Sequence, residues 1–250
     1  MSMTKSQTLS RDEVQASMQT IIGDNIQRVR EEISAACKKS GRATSDVRLI
    51  AATKFVDCER ILAALHGGIT DIGENRAQEL TEKLNFYKLH GCCCHYIGQL
   101  QSNKVKYVCG NVDYIHSVDR LPLAREISNR ATRMGIVQKL LLQVNIACEP
   151  QKGGVSPTAA RTLLDDVAKL TGVSVCGLMS VPPIGTAQES RTYFAALRVL
   201  LASLQAEYPQ LPLIECSMGM SDDFAVAIEE GATMVRVGTR IFGERILIRQ

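Results

Sequence analysis

Tryptophan is absent from this sequence, and aromatic residues of all kinds make up only 4% of it. The core is therefore expected to be aliphatic, built from Leu, Ile, Val and Ala. No run of about 18 apolar residues occurs, so no membrane-spanning helix is predicted. The opening MSMTKSQTLSRDEVQ is polar and has no apolar stretch of the secretory type. A large charge of one sign is also missing. The formal net charge is +3, with Lys and Arg interleaved among acids, so no nucleic-acid partner is expected. The phosphate-cradling patterns G-x-G-x-x-G and G-x-x-x-x-G-K-[ST] do not occur, which weighs against a nucleotide-binding, doubly wound open sheet.

Cysteine, in contrast, is plentiful. Nine Cys residues is an odd number, and without a secretory signal they read as free thiols in a reducing, cytoplasmic compartment. Cys92-Cys93-Cys94-His95 invites a metal reading, but adjacent residues on a strand face opposite ways, and zinc spacing separates its ligands. No metal is therefore expected.

The 250 residues suit one large α/β domain, with 45% hydrophobic and 22% charged residues. Residues 1–10 read as a disordered tail and 11–250 as a single domain. Residues 11–40 carry helical periodicity through Ile22, Ile26, Val29 and Ile33. Short apolar runs suited to buried strands follow at 47–53, 69–72, 95–97, 114–117, 140–144, 173–179, 213–217 and 234–237. Helical segments separate them at 58–66, 76–89, 103–109, 122–134, 157–170, 188–208 and 222–230. This alternation predicts a (β/α)8 barrel with an extra N-terminal helix.

In such a barrel the functional residues stand at the C-terminal ends of the strands. The first run ends in Lys54, either a nucleophilic amine at the barrel mouth or a surface lysine that happens to follow a strand. The second ends in Gly73-Glu74-Asn75-Arg76, where Asn75 is a ligand contact or a helix cap. The seventh leads through Ser217-Met218-Gly219-Met220-Ser221, and the eighth into Gly238-Thr239. These two loops could hold a phosphate, or could simply be tight turns. Arg236 alternates with Val235 and Val237, so it points either into the barrel or out beneath a helix. Asp222-Asp223 reads as helix capping.

Several stretches, taken in order, resemble one family. They are ATK at 52–54, DIGENRAQE at 71–79, YIGQLQSNKVKYV at 96–108, IHSVD at 115–119, QVNIACEPQKGGVSP at 143–157, GLMSVPP at 177–183, SMGMSDDFAVAIEEGATMVRVGT at 217–239 and IFGER at 241–245. The chain is identified as a member of the pyridoxal phosphate homeostasis protein family, whose barrel is like the N-terminal domain of alanine racemase. The resemblance implies pyridoxal 5′-phosphate held as a Schiff base on Lys54. It implies that Ser221, Gly238 and Thr239 bind the phosphate, that Arg236 faces the pyridine nitrogen, and that Asn75, Asn145 and Met179 line the pocket. An Arg facing the nitrogen leaves the ring unprotonated and a poor electron sink. The expected role is a monomeric, non-catalytic carrier that buffers the cofactor and delivers it to apo-enzymes. The alternative is an enzyme of low, racemase-like activity on amino acids. The chain departs from the family at Lys54-Phe55-Val56-Asp57, where a second Lys followed by Pro is often found.

Overall fold

A computed structural model describes residues 11–183 and 185–244. The expected tail at 1–10 and Arg245 of the IFGER motif lie outside the described residues. Eight parallel strands close into a barrel in sequence order. They are β1 (Arg48–Ala52), β2 (Asp71–Glu74), β3 (Cys93–Tyr96), β4 (Tyr114–Val118), β5 (Gln138–Gln143), β6 (Val173–Met179), β7 (Glu215–Ser217) and β8 (Met234–Val237). The helices are α1 (Arg11–Lys39), α2 (Cys58–His66), α3 (Ala77–Leu89), α4 (Val105–Val108), α5 (Leu121–Met134), α6 (Pro157–Ala168), α7 (Ala187–Glu207), α8 (Phe224–Glu229) and α9 (Thr239–Phe242). Among the described residues no helix is long and apolar enough to cross a membrane.

The fourth helix was expected over 103–109, but a 3-10 turn at Ser102–Lys104 takes its first residues and leaves α4 only four residues long. The third strand begins earlier than its apolar run suggested, at Cys93, because it pairs in register with Asp71 on β2.

Helix α2 shows how local chemistry sets an element. Asp57 caps it by accepting a hydrogen bond from the Arg60 N–H at 2.8 Å, and Gly67 ends it. Helix α1 fills a gap in the outer ring. Its apolar face, Ile22, Ile26, Val29, Ile33 and Ala36, is buried, and it packs against α2, α8 and α9. It therefore covers the seam where β8 pairs with β1, the one place with no helix of a β–α–β unit above it.

Most of the core lies between sheet and helices. The barrel interior holds a separate, smaller apolar group of Ile50, Tyr114, Leu141, Cys176, Met179 and Met234. Cys176 and Met179 both face inward although they are three residues apart. Strict alternation would send Met179 out. The register between β5 and β6 slips by one residue at Gly177, where Leu140 pairs with Val175 but Leu141 pairs with Gly177. Only glycine fits there, since a Cβ would overlap the Glu215 carbonyl.

Replacing Ile26, which is 1% exposed, by Ala should lower the unfolding free energy by roughly 2–5 kcal/mol. The same change at Ile21, on the same helix but 57% exposed, should move it by less than about 0.5 kcal/mol. Urea unfolding of both variants checks that α1 seals the seam and is not an appendage.

Candidate functional site at the barrel mouth

The end of β1 is held from outside the barrel. Thr53 is fully buried, and its hydroxyl donates to Glu74 Oε1 at 2.8 Å. Tyr87 on α3 donates to the same oxygen at 2.5 Å, and Lys83 Nζ does so at 3.0 Å. Lys83 also donates to the Thr53 carbonyl at 2.9 Å. Desolvation and the neighbouring Glu74 carboxylate push the Tyr87 phenol far up, so it stays a donor. These contacts turn Thr53 toward the helices and leave Lys54, half-buried, as the next residue at the mouth.

The chain then bends sharply. Phe55 adopts a left-handed φ of 61°, a conformation that typically costs about 1–3 kcal/mol in a bulky residue. A 2.7 Å hydrogen bond from its N–H to Glu79 Oε2 holds it there. Lys54 is thus set between a buried anchor and a strained turn. Sequence reasoning singled out Lys54 but not this support. The available signal was Lys83 and Tyr87 on the buried face of α3, in step with Leu80.

Asn75 follows β2 directly, and its carbonyl presses against Gly98 so closely that any Cβ there would collide with it. Its Oδ1 is buried with no protein partner among the described residues. Asn145 behaves differently. Its amide donates to the Glu149 carbonyl at 2.7 Å and accepts from the Glu149 N–H at 3.1 Å, so it folds the loop after β5. Met179, the last residue of β6, is buried among the interior apolar residues.

Arg236 points into the barrel, while Val235 and Val237 pack outward against the helices. It is 5% exposed. One terminal nitrogen donates to Ser217 Oγ at 2.6 Å and the other to the Ser180 carbonyl at 2.9 Å. Burial lowers its pKa to about 10, partly offset by Asp223 and Cys216, and leaves it charged at neutral pH. The hydroxyl of Ser180 is a second buried polar atom without a protein partner among the described residues.

Ser221 and Gly238 meet, the Gly238 N–H donating to Ser221 Oγ at 3.3 Å, with exposed Thr239 next in the chain. Asp223 does not cap α8 with its side chain. Its carboxylate turns back to accept from the Met220 N–H at 2.7 Å, which closes the loop before α8.

Below the mouth lies a polar floor that the sequence did not reveal. Asp71, Cys93 and His95 bring one ligand-type atom each to within 4.8 Å of one another. Hydrogen bonding accounts for the group. His95 Nε2 lies 3.0 Å from Asp71 Oδ1, and Thr70 donates to the other carboxylate oxygen at 2.7 Å. The Arg48 guanidinium, 3.6 Å from Asp71, already supplies a cation. Desolvation pushes the thiol of Cys93 far up and that of Cys94 up to about 12, so neither is an activated nucleophile.

Comparison with known proteins fits this geometry. The family model described as alanine racemase, N-terminal domain, matches residues 25–246. The pyridoxal phosphate homeostasis protein of Aquifex aeolicus (strain VF5) is 45% identical over 223 residues, covering 89% of this chain and 97% of that protein. Its counterpart in Vibrio cholerae (serotype O1, strain El Tor Inaba N16961) is 39% identical over 232 residues, covering 90% of this chain and 96% of that protein. The chain belongs to the pyridoxal phosphate homeostasis protein family. Among solved structures, PipY of Synechococcus elongatus PCC7942 with PLP bound superposes with a TM-score of 0.78 at 37% identity, covering 89% of this chain and 100% of that one. In this barrel Lys54, Asn75, Met179 and Arg236 stand at or near the C-terminal ends of β1, β2, β6 and β8, Ser221 and Gly238 meet between the loops after β7 and β8, and Asn145 lies in the loop after β5.

Lys83→Met should destabilise the protein by about 3–5 kcal/mol, since it strands the buried Glu74 carboxylate. Adding Glu74→Gln removes the uncompensated charge and should restore part of the loss. Urea unfolding of the single and double variants checks this; equal destabilisation by both would show that the ion pair is not what matters.

Proposed function

We infer that this chain binds pyridoxal 5′-phosphate at the barrel mouth and serves in its homeostasis, holding the reactive aldehyde and releasing it to apo-enzymes that need it. The observation that carries this reading is the convergence of an amine, Lys54, and a buried cation, Arg236, on one mouth whose polar lining is incompletely satisfied. Asn75 Oδ1 and Ser180 Oγ are buried acceptors or donors in want of a partner, and a ligand bearing polar substituents meets that want. The relatives at 39–45% identity are named for this role, and PipY carries the cofactor in its structure.

Bound, the cofactor supplies an aldehyde carbon and an aromatic ring able to withdraw electrons. Lys54 would hold the aldehyde through its ε-amine, forming one C=N bond and releasing one water. Ser221, Gly238 and Thr239 would receive the phosphate, at a position open enough to solvent for a dianion. Arg236 would donate to the ring nitrogen. A guanidinium has no acceptor and keeps its protons at neutral pH, so it favours the unprotonated pyridine. That choice weakens the ring as an electron sink and favours storage over carbanion chemistry. Every residue in this account comes from one chain, so a monomer suffices.

Borohydride treatment of the loaded protein should fix the cofactor on the peptide containing Lys54, and Lys54→Ala should lose the absorbance band of the covalent link. Ser221→Ala combined with Thr239→Ala should keep the band but weaken retention at least about tenfold in dialysis, since each hydrogen bond to a charged group is worth roughly 1.5–3 kcal/mol. A Lys54→Ala protein with the wild-type band would sink the assignment.

Carrier and racemase separate in deuterium oxide. Racemisation needs protons removed and returned on opposite faces of the ring, by two groups. With L-alanine the loaded protein should show no inversion. Exchange with inversion near one turnover per second, the lower end for ordinary enzymes, would overturn the carrier reading.

A further inference from the structure

Arg236 is not an isolated cation. Its partner Ser217 on β7 lies 3.0 Å from His116 Nδ1 on β4, on the far side of the barrel. His116 Nε2 lies 3.0 Å from His95 Nδ1 on β3, and His95 Nε2 lies 3.0 Å from Asp71 Oδ1 on β2. His95, His116 and Ser217 are at most 1% exposed. We propose that Asp71, His95, His116 and Ser217 are positioning residues for the cofactor's ring nitrogen, forming one polarised hydrogen-bond chain that crosses the barrel and holds Arg236 as a donor. The proposal rests on the reading of the mouth as a pyridoxal phosphate site.

With both imidazoles neutral, the two ends set the direction of every bond. Arg236 can only donate, so Ser217 Oγ accepts from it and has one proton to pass on. That proton goes to His116 Nδ1, which places the His116 hydrogen on Nε2. His116 Nε2–H then donates to His95 Nδ1, which places the His95 hydrogen on Nε2, and this hydrogen goes to the Asp71 carboxylate. Asp71, paired with Arg48, can only accept. Each link then carries one proton, so all donors point from Arg236 toward Asp71. Burial, with the charges of Arg236 and Arg48 nearby, holds His116 well below the usual histidine range and keeps it neutral. Bonds aligned in one sense polarise one another. The chain therefore pins the guanidinium in one orientation, and its fixed donors suit a ring nitrogen that accepts.

The test has one arm without cofactor. In the apo-protein, nitrogen-15 NMR should find both His95 and His116 as neutral Nε2–H tautomers at pH 7. A proton on His116 Nδ1 would overturn the chain. The second arm compares binding of pyridoxal 5′-phosphate with its 1-deaza analogue, in which C–H replaces the ring nitrogen. Wild type should prefer the natural cofactor by about tenfold, the worth of one charge-assisted hydrogen bond. His116→Leu should lose that preference, and His116→Gln, which can both donate and accept, should recover part of it. A simple loss of packing would weaken both ligands equally and keep the preference, which would overturn the proposal, as would a wild type indifferent to the nitrogen. A wild type that binds neither ligand would instead sink the binding reading itself. Should His116→Leu fail to fold, Ser217→Ala cuts the same chain at its next link and is read the same way.

Discussion

A guanidinium buried inside a barrel is the constraint around which this interior is arranged. An unpaired charge there would be far more costly than any single apolar contact could offset. Arg236 therefore needs acceptors, and it has the Ser180 carbonyl above and Ser217 beside it. Ser217 in turn has His116, and the polar requirement passes across the barrel until it ends on a carboxylate. A barrel of this size is ordinarily filled by layers of branched aliphatic side chains. Here the apolar filling shrinks to a small group around Ile50, Leu141 and Met179, and the polar chain takes the remaining space.

The other half of the mouth is built on the opposite side of the sheet. Lys54 owes its position to Glu74, Lys83 and Tyr87, which lie between β2 and α3 and never enter the barrel. Their grip on Thr53 fixes where the strand stops, and the Glu79 contact fixes how the chain turns. The amine and the guanidinium are thus held by separate networks, one in the helical layer and one in the barrel interior. A change to either would be felt at the mouth without passing through the other.

Most elements were legible because their signals are local. Helix α2 begins and ends where its capping Asp57 and terminal glycines say it should, and β8 matches its apolar run from Met234 to Val237. The strand-end rule pointed to Lys54 before any relative was considered. The inward turn of Arg236 was one of two options that alternation allowed, and closure of the barrel chose between them. Asn145 was expected in the pocket lining, and the structure adds that its amide folds the adjoining loop. His116 gives no local signal of its role, because its partners are 21 and 101 residues away along the chain.

What the sequence by itself determined was the order and kind of the elements, the family, and the identity of the amine and the cation at the strand ends. These depend on periodicity, caps and residue type, all of which act over a few neighbouring positions. Only the tertiary structure decided which polar groups meet inside the barrel. The slip at Gly177 turns Met179 inward against the strict period of a strand, and it exists because β5, β6 and β7 must close together. The chain from Arg236 to Asp71 joins β8, β7, β4, β3 and β2, and no pattern along the sequence records that five strands face one another across a closed interior.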